Sequence, residues 1–409
     1  MYKKRLFYGL LIIVFLVGGL IQTIGLVSNT MCTLGLSIVL LLVNLISKRT
    51  TKVNKYPFVL LSAVIIVSGL VNSCAPILIF LYVFAFAVVP YTIYYFIKNN
   101  LFRFDFTKLL KFFLFVGTIQ LPILLAQKKL GTLIVAMSAR GINLEDVGYG
   151  TFFFANDHGL CFFLLSLIIF LLFQKTHLKQ SSKIFYIIWF SITVLLAGSN
   201  VSSLLWLLTI GFYFLIKLNI KTFFLLVSSA TLLVVTIYVT PLNDFVVERY
   251  EFFHHKIFDK QLSFFDAEGA VDQGVPERAD IVVYLSHQEL KVIGDGPYKY
   301  FDPIKKVFPK FKNYSQYLWF YNDLGVIGVL CVVIIFGALY LNNSKFFSFK
   351  LIYLILILVY SFFSNTLSDL SFMIVFSIFI TKGSIPILKT KKFKQYEHTM
   401  YSIPRLAEN

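Results

Sequence analysis

Apolar residues run in long continuous blocks along this chain, separated by short polar stretches rich in Lys and Arg. The blocks do not alternate residue by residue, so they lack the strand pattern of an outer-membrane barrel. Each is near the length a helix needs to cross a hydrocarbon core of about 30 Å. The pattern predicts an all-α polytopic membrane protein with about twelve spans. They fall near 6–27, 30–47, 57–74, 75–97, 109–127, 151–173, 184–198, 202–217, 221–240, 322–341, 350–364 and 366–381. One long polar segment interrupts them, which divides the chain into membrane helices over 1–240, a large loop over 241–313, and helices with a basic tail over 314–409.

Composition agrees: 58% of the 409 residues are hydrophobic, against roughly 45–50% in soluble domains. The start, Met1-Tyr2-Lys3-Lys4-Arg5, has the charge of a signal peptide. The apolar run after it is too long for one and has no A-x-A site, so it reads as a retained first helix.

The net charge of +17 would suggest nucleic acid on a soluble protein. Here the positive-inside rule accounts for it, and no nucleic-acid partner is expected. With the N-terminus inside, every inner segment holds at least two basic residues, as at Lys98, Arg103, Lys108 and Lys111, or Lys345 and Lys350. The short outer turns hold none. Both termini are therefore expected inside, and the long loop outside.

Charge also marks candidate chemistry. Asp157, Asp323 and Asp369 fall within predicted spans, each close to the outer end. Intramembrane carboxylates are costly and mark functional sites by default. The same level holds Asn156, His158, Ser199, Asn200 and Asn365. No P-loop, GxSxG or HExxH pattern occurs. His254-His255 lacks further ligands at zinc spacing, so neither metal nor cofactor is expected. Cys32, Cys74, Cys161 and Cys331 lie in or beside apolar runs and read as small apolar fillers, with a Cys32–Cys74 disulfide as the alternative.

Within the loop, Pro276 and Glu277 suit the first turn of a helix. Ala279, Val282, Val283, Leu290 and Ile293 then give that helix one apolar face. Arg278 would stand at its N-terminus, where backbone N–H groups favour an anion and a guanidinium adds bidentate phosphate recognition. The turn Gly294-Asp295-Gly296-Pro297 would let backbone approach a ligand closely.

The stretch from Arg278 through Gly294 and Gly296 to Phe301 resembles the Arg…Gly-x-Gly…Phe stretch of the O-antigen polymerase/ligase superfamily. Tyr314-Ser315-Gln316-Tyr317-Leu318 and Asp323-Leu324-Gly325 stand where that family has a His-Asn-x-Tyr-Leu motif and a Glu-x-Gly. Phe154-Ala155-Asn156-Asp157-His158-Gly159 is similar to its Asn-x-x-Gly, and Ala197-Gly198-Ser199-Asn200 to its Ser-Arg element. The likeness covers roughly 140–341. Asn200 replaces the family Arg, and Tyr314 replaces the His of the ligases, which points to a Wzy-type polymerase.

The resemblance implies a GT-C-like architecture and a metal-independent glycosyltransferase. It would join undecaprenyl-pyrophosphate-linked oligosaccharide repeats into capsule, exopolysaccharide or O-antigen. Lipid-linked oligosaccharides and membrane lipid would be its ligands, with a flippase and a chain-length regulator as protein partners. Charge develops on the departing pyrophosphate and needs fixed positive charge. Arg278 is the first candidate for that task, then Arg140 and Arg249. Asp157, His158, Glu277, His287 and Asp323 are candidates to accept a proton or position the attacking hydroxyl. Gly294, Asp295, Gly296, Asn156, Asn200, Tyr314 and Tyr317 are candidates for substrate contacts. The alternatives are a ligase-like transferase, a secondary transporter or flippase of the same lipid-linked glycan, and a receptor or scaffold that binds through the loop.

Replacing Arg278 by Ala is expected to abolish long surface glycan at normal protein levels, read from glycan length on gels. Arg278→Lys should fail as well, because an ammonium cannot reproduce the bidentate fork.

Overall fold

The structure is a computed structural model. It describes residues 2–19, 29–46, 53–101, 105–137, 147–152, 157–174, 176–197, 199–216, 278–286, 288–302, 306, 315–344 and 348–382. These residues form helices and irregular connections, with no strand among them.

The helices are α1 (Tyr2–Ile12, prolonged by a π turn Ile13–Val17), α2 (Asn29–Ile46), α3 (Tyr56–Val71), α4 (Pro76–Asn100) and α5 (Phe106–Lys129). Next come α6 (Gly131–Met137), α7 (Asp157–Phe173), α8 (Gln180–Leu196), α9 (Asn200–Ile216) and α10 (Arg278–Ser286). The chain closes with α11 (Gln316–Leu341), α12 (Leu351–Phe363) and α13 (Leu370–Lys382). Among the described residues three helices, α4, α5 and α11, are long and apolar enough to cross a membrane, and the others of the bundle are shorter apolar helices. The helices follow the predicted spans closely, apart from 221–240, which lies outside the described residues. Two starts differ. α7 begins at Asp157 because 147–152 is irregular, and α11 begins at Gln316, ahead of the predicted 322.

Burial follows from composition. In α7 every residue from Gly159 to Leu171 is buried, and in α13 every residue from Leu370 to Thr381. Helices apolar all round belong in the middle of a bundle. Phe15, Phe113, Phe152 and Phe163 interlock there, with Phe15 stacked on Phe163 at 5.4 Å. The outer helices α3, α8, α9 and α11 turn Leu, Ile and Val outward, as at Leu70, Ile188, Leu207 and Leu330. Such surface suits lipid rather than water. Of the cysteines, Cys161 and Cys331 are buried, and Cys74 is a free thiol.

Helix starts are set by short polar side chains. Asp105 caps α5 by accepting from Thr107 N at 2.9 Å. Ser315 caps α11 through Leu318 N. Asp369 caps α13 through Ser371 N at 2.7 Å. This gives Asp369, one of the three predicted span carboxylates, a structural task.

Interruptions are filled from within. Pro122 inside α5 has no N–H to give the Thr118 carbonyl, and the Trp189 indole donates to that carbonyl at 3.0 Å. The irregular 147–152 stretch is clamped by two amides of α5. Gln127 both donates to Gly150 O and accepts from Gly150 N, at 2.8 Å each. Gln120 donates to Thr151 Oγ1 and accepts from Thr151 N.

The two ends of the bundle differ in charge. At one end Lys382 lies 4.6 Å from the Phe106 ring centre. Lys350 there donates to the Asn343 carbonyl, just past α11, at 2.9 Å and to the Ile380 carbonyl in the last turn of α13, joining the two.

The largest interruption is in α11. Gly325 has φ 73 and breaks the helix. Residues 291–296 run across the break and replace its lost partners. Asp295 N donates to Asn322 O at 2.8 Å, Gly296 N to Asp323 O at 3.0 Å, and Val326 N to Lys291 O at 2.9 Å. From α3, Asn72 donates to Gly294 O and Ser68 to Asp323 O, each at 2.8 Å. A Cβ on Gly294 would lie 2.4 Å from Asn322 O, and one on Gly325 would lie 2.2 Å from Val292 O. Gly294→Ala should therefore cost about 2 kcal/mol or more by overpacking. Thermal unfolding in detergent would register it as a lowered midpoint and less folded protein.

Candidate functional site

The helix predicted from Arg278 to Ile293 ends at Ser286. Its buried face is Ile281 and Leu285, while Leu290 and Ile293 are exposed. The reason is the break in α11: residues 291–296 follow an irregular, bent course that meets its free backbone groups, so they are not helical. The close backbone approach expected of Gly294 and Gly296 is made to α11. Lys291 Nζ pairs with Asp295 Oδ2 at 2.6 Å, so Asp295 is engaged by a residue of its own segment.

Asp323 lies beneath this segment with no exposed surface. Its Oδ2 accepts from Trp319 Nε1 at 2.8 Å and from Tyr298 N at 2.9 Å, and its Oδ1 from Asn322 Nδ2 at 3.2 Å. Tyr298 has φ 63, a strained conformation for a non-glycine residue. The Asp323 carboxylate is what holds it. Burial, and then the charge of Asp323, raises the Tyr298 pKa. Phe301, Tyr300 and Trp319 pack together behind it. Asp323 is thus a structural lock between loop and helix, shut off from any substrate in this conformation.

A second polar cluster is open. Asp157 and His158 form the first turn of α7, with side chains about a fifth exposed, at 21% and 17%. His158 Nδ1 lies 3.2 Å from Ser199 Oγ and 3.8 Å from Asp157 Oδ2. Ser202 Oγ donates to Ser199 Oγ at 2.9 Å and lies 2.7 Å from the Tyr360 hydroxyl. Tyr360 and Phe363 of α12 flank the imidazole ring. A Ser-His-Asp relay would use opposite ring nitrogens for its Ser and its Asp. Here both approach Nδ1, so Ser199 is not arranged as an activated nucleophile.

The two clusters share one end of the bundle. Gln316 N, at the start of α11, donates to Ser364 O at 3.1 Å, and Leu367 N donates to Gln316 Oε1 at 3.3 Å. The N-termini of α7, α9, α11 and α13 therefore gather there, opposite the Lys350 and Lys382 end. The C-termini of α3, α8 and α12 meet at this end too, so opposed helix dipoles offset one another there. A groove of about 620 Å³, lined by Val59, Leu60, Ala63, Ile334 and Ala338, lies toward the basic end.

The expectation that Asp157, His158 and Ser199 share one level is met by direct contact. Asn200 opens α9 and Arg278 opens α10. Tyr317 is half-buried on the first turn of α11. Arg140, Arg249, Glu277, His287, Asn156 and Tyr314 lie outside the described residues. No group of three or more His, Cys, Asp or Glu able to hold a metal occurs among the described residues. Sequence reasoning missed Ser202 and Tyr360. Ser202, one helical turn after Ser199, was within reach of it. Tyr360 stood among many aromatic residues with nothing local to single it out. No family model, curated protein or solved structure matches the chain.

Replacing Asp323 by Ala orphans three buried donors, each costing about 1–3 kcal/mol. Unfolding measurements should show a loss of stability, whereas Asp157→Ala, at a partly exposed helix end, should fold normally.

Proposed function

We propose that the protein is a membrane glycosyltransferase that polymerises oligosaccharide repeats carried on undecaprenyl pyrophosphate. One observation carries this reading most: a carboxylate, an imidazole and linked hydroxyls lie together at one end of an otherwise apolar bundle. Residues 288–302 of the long loop are at that same end. In the proposal this end faces outward, as the distribution of Lys and Arg supports.

In this reading a sugar hydroxyl of one lipid-linked repeat attacks the anomeric carbon of another. The bond from that carbon to the pyrophosphate oxygen breaks, and the electron pair leaves with the phosphate. Arg278 offsets the charge that develops. The proton passes to Asp157 or His158. The energy resides in the pyrophosphate bond, so no nucleotide site is needed. A transporter would place an ion at a break such as the one in α11. Here Lys291, Asp295 and Gly296 fill the break, which favours transfer over transport.

Purified protein in liposomes with lipid-linked repeats should form a ladder of products that grow by one repeat. Asp157→Asn should reduce the rate by about 100-fold. Movement of unaltered repeats across the bilayer without a ladder would sink the proposal in favour of transport.

A further inference from the structure

We infer that Ser199, Ser202 and Tyr360 form a one-way hydrogen-bond chain that holds neutral His158 with its proton on Nε2. This deepens the glycosyltransferase reading and rests on it for its functional meaning, while the tautomer itself rests on geometry alone.

The argument counts protons and lone pairs. A serine hydroxyl has one hydrogen and two acceptor sites. Ser199 Oγ accepts from Ser202 Oγ at 2.9 Å and from Ser202 N at 3.3 Å, so both acceptor sites are taken. Its contact of 3.2 Å with His158 Nδ1 must then use its own hydrogen. Ser202 has spent its single hydrogen on Ser199. The Tyr360 hydroxyl, 2.7 Å away, is therefore the donor in their contact. Ser202 and Tyr360 are both fully buried, and a buried phenol needs an acceptor. The order is Tyr360 to Ser202 to Ser199 to His158 Nδ1.

Nδ1 is thus an acceptor, and the neutral ring carries its hydrogen on Nε2. Asp157 at 3.8 Å from Nδ1 is too far for a hydrogen bond and does not reverse the order. The consequence separates the roles of two adjacent residues. The lone pair of His158 is occupied by Ser199, so the neutral imidazole does not serve as the base. Asp157 is left to take the proton of the attacking hydroxyl. Ser199, Ser202 and Tyr360 are positioning residues that act through His158.

Nitrogen NMR of the full chain, ¹⁵N-labelled at its six histidines, tests this directly, with the His158 signals assigned by their loss in His158→Gln. At alkaline pH, Nε2 of His158 is expected to be protonated and Nδ1 bare. A protonated Nδ1 in the unaltered protein overturns the inference. Tyr360→Phe keeps the ring against Phe162 and Phe372 but frees Ser202 to point elsewhere, so the Nδ1–H form should appear. Ser202→Ala should do the same by a second route. Loss of the favoured tautomer should lower kcat for ladder formation about 10-fold or more with little change in KM. An unchanged tautomer in both variants overturns the positioning role. If the unaltered protein shows the Nε2–H form yet makes no ladder, the glycosyltransferase reading fails and the tautomer assignment stands.

Discussion

Backbone polar groups inside an apolar bundle have no water to turn to, so every interrupted helix hydrogen bond must be replaced from within the chain. This constraint explains most of what is irregular here. The carbonyl freed by Pro122 is taken by the Trp189 indole. The 147–152 stretch is held by Gln120 and Gln127, whose amides stand in for a neighbouring strand. The break at Gly325 is closed by residues 291–296 together with Ser68 and Asn72. In each case a polar residue that would be expensive in an intact span is retained because it serves a backbone that left helical geometry.

The same constraint sorts the charged groups by task. Asp369 is a helix cap, and Asp323 is a buried acceptor for three donors. Lys350 joins the ends of α11 and α13. Subtracting these structural roles leaves Asp157 and His158 as polar side chains that are partly open at the end of the bundle. That residue by residue subtraction, more than the likeness of short motifs, focuses the candidate site. It also removes two attractive readings: Gly294 and Gly296 meet a helix, and Asp323 is shielded.

Much of the fold was legible because it depends on runs of apolar residues, which are local. Spans such as 109–127 and 366–381 are set by composition alone, and α5 and α13 fall on them. Burial of α7 and α13 on every side was equally implicit in their lack of a polar face. What was not legible depends on partners distant in sequence. The apolar spacing of Val282, Leu290 and Ile293 suggested one helix, but the demand of the Gly325 break, about two and a half turns beyond the start of α11, pulls 291–296 into an irregular, bent course. Likewise Asp157, His158 and Ser199 were grouped by depth along their helices, a rule that needs no tertiary knowledge. Tyr360 completes their network from a helix whose sequence gives no hint of it.

The joint between 291–296 and α11 also bears on the order in which the chain is made. The segment that closes the break precedes α11 in the sequence, so it leaves the ribosome first and is on hand when the broken helix enters the bilayer. With the reverse order, α11 would arrive with Asn322, Asp323 and Val326 backbone groups bare in hydrocarbon. Chain order thus spares the nascent protein a costly intermediate, and it makes residues 291–296 a prerequisite for seating α11 as well as the closure of its break.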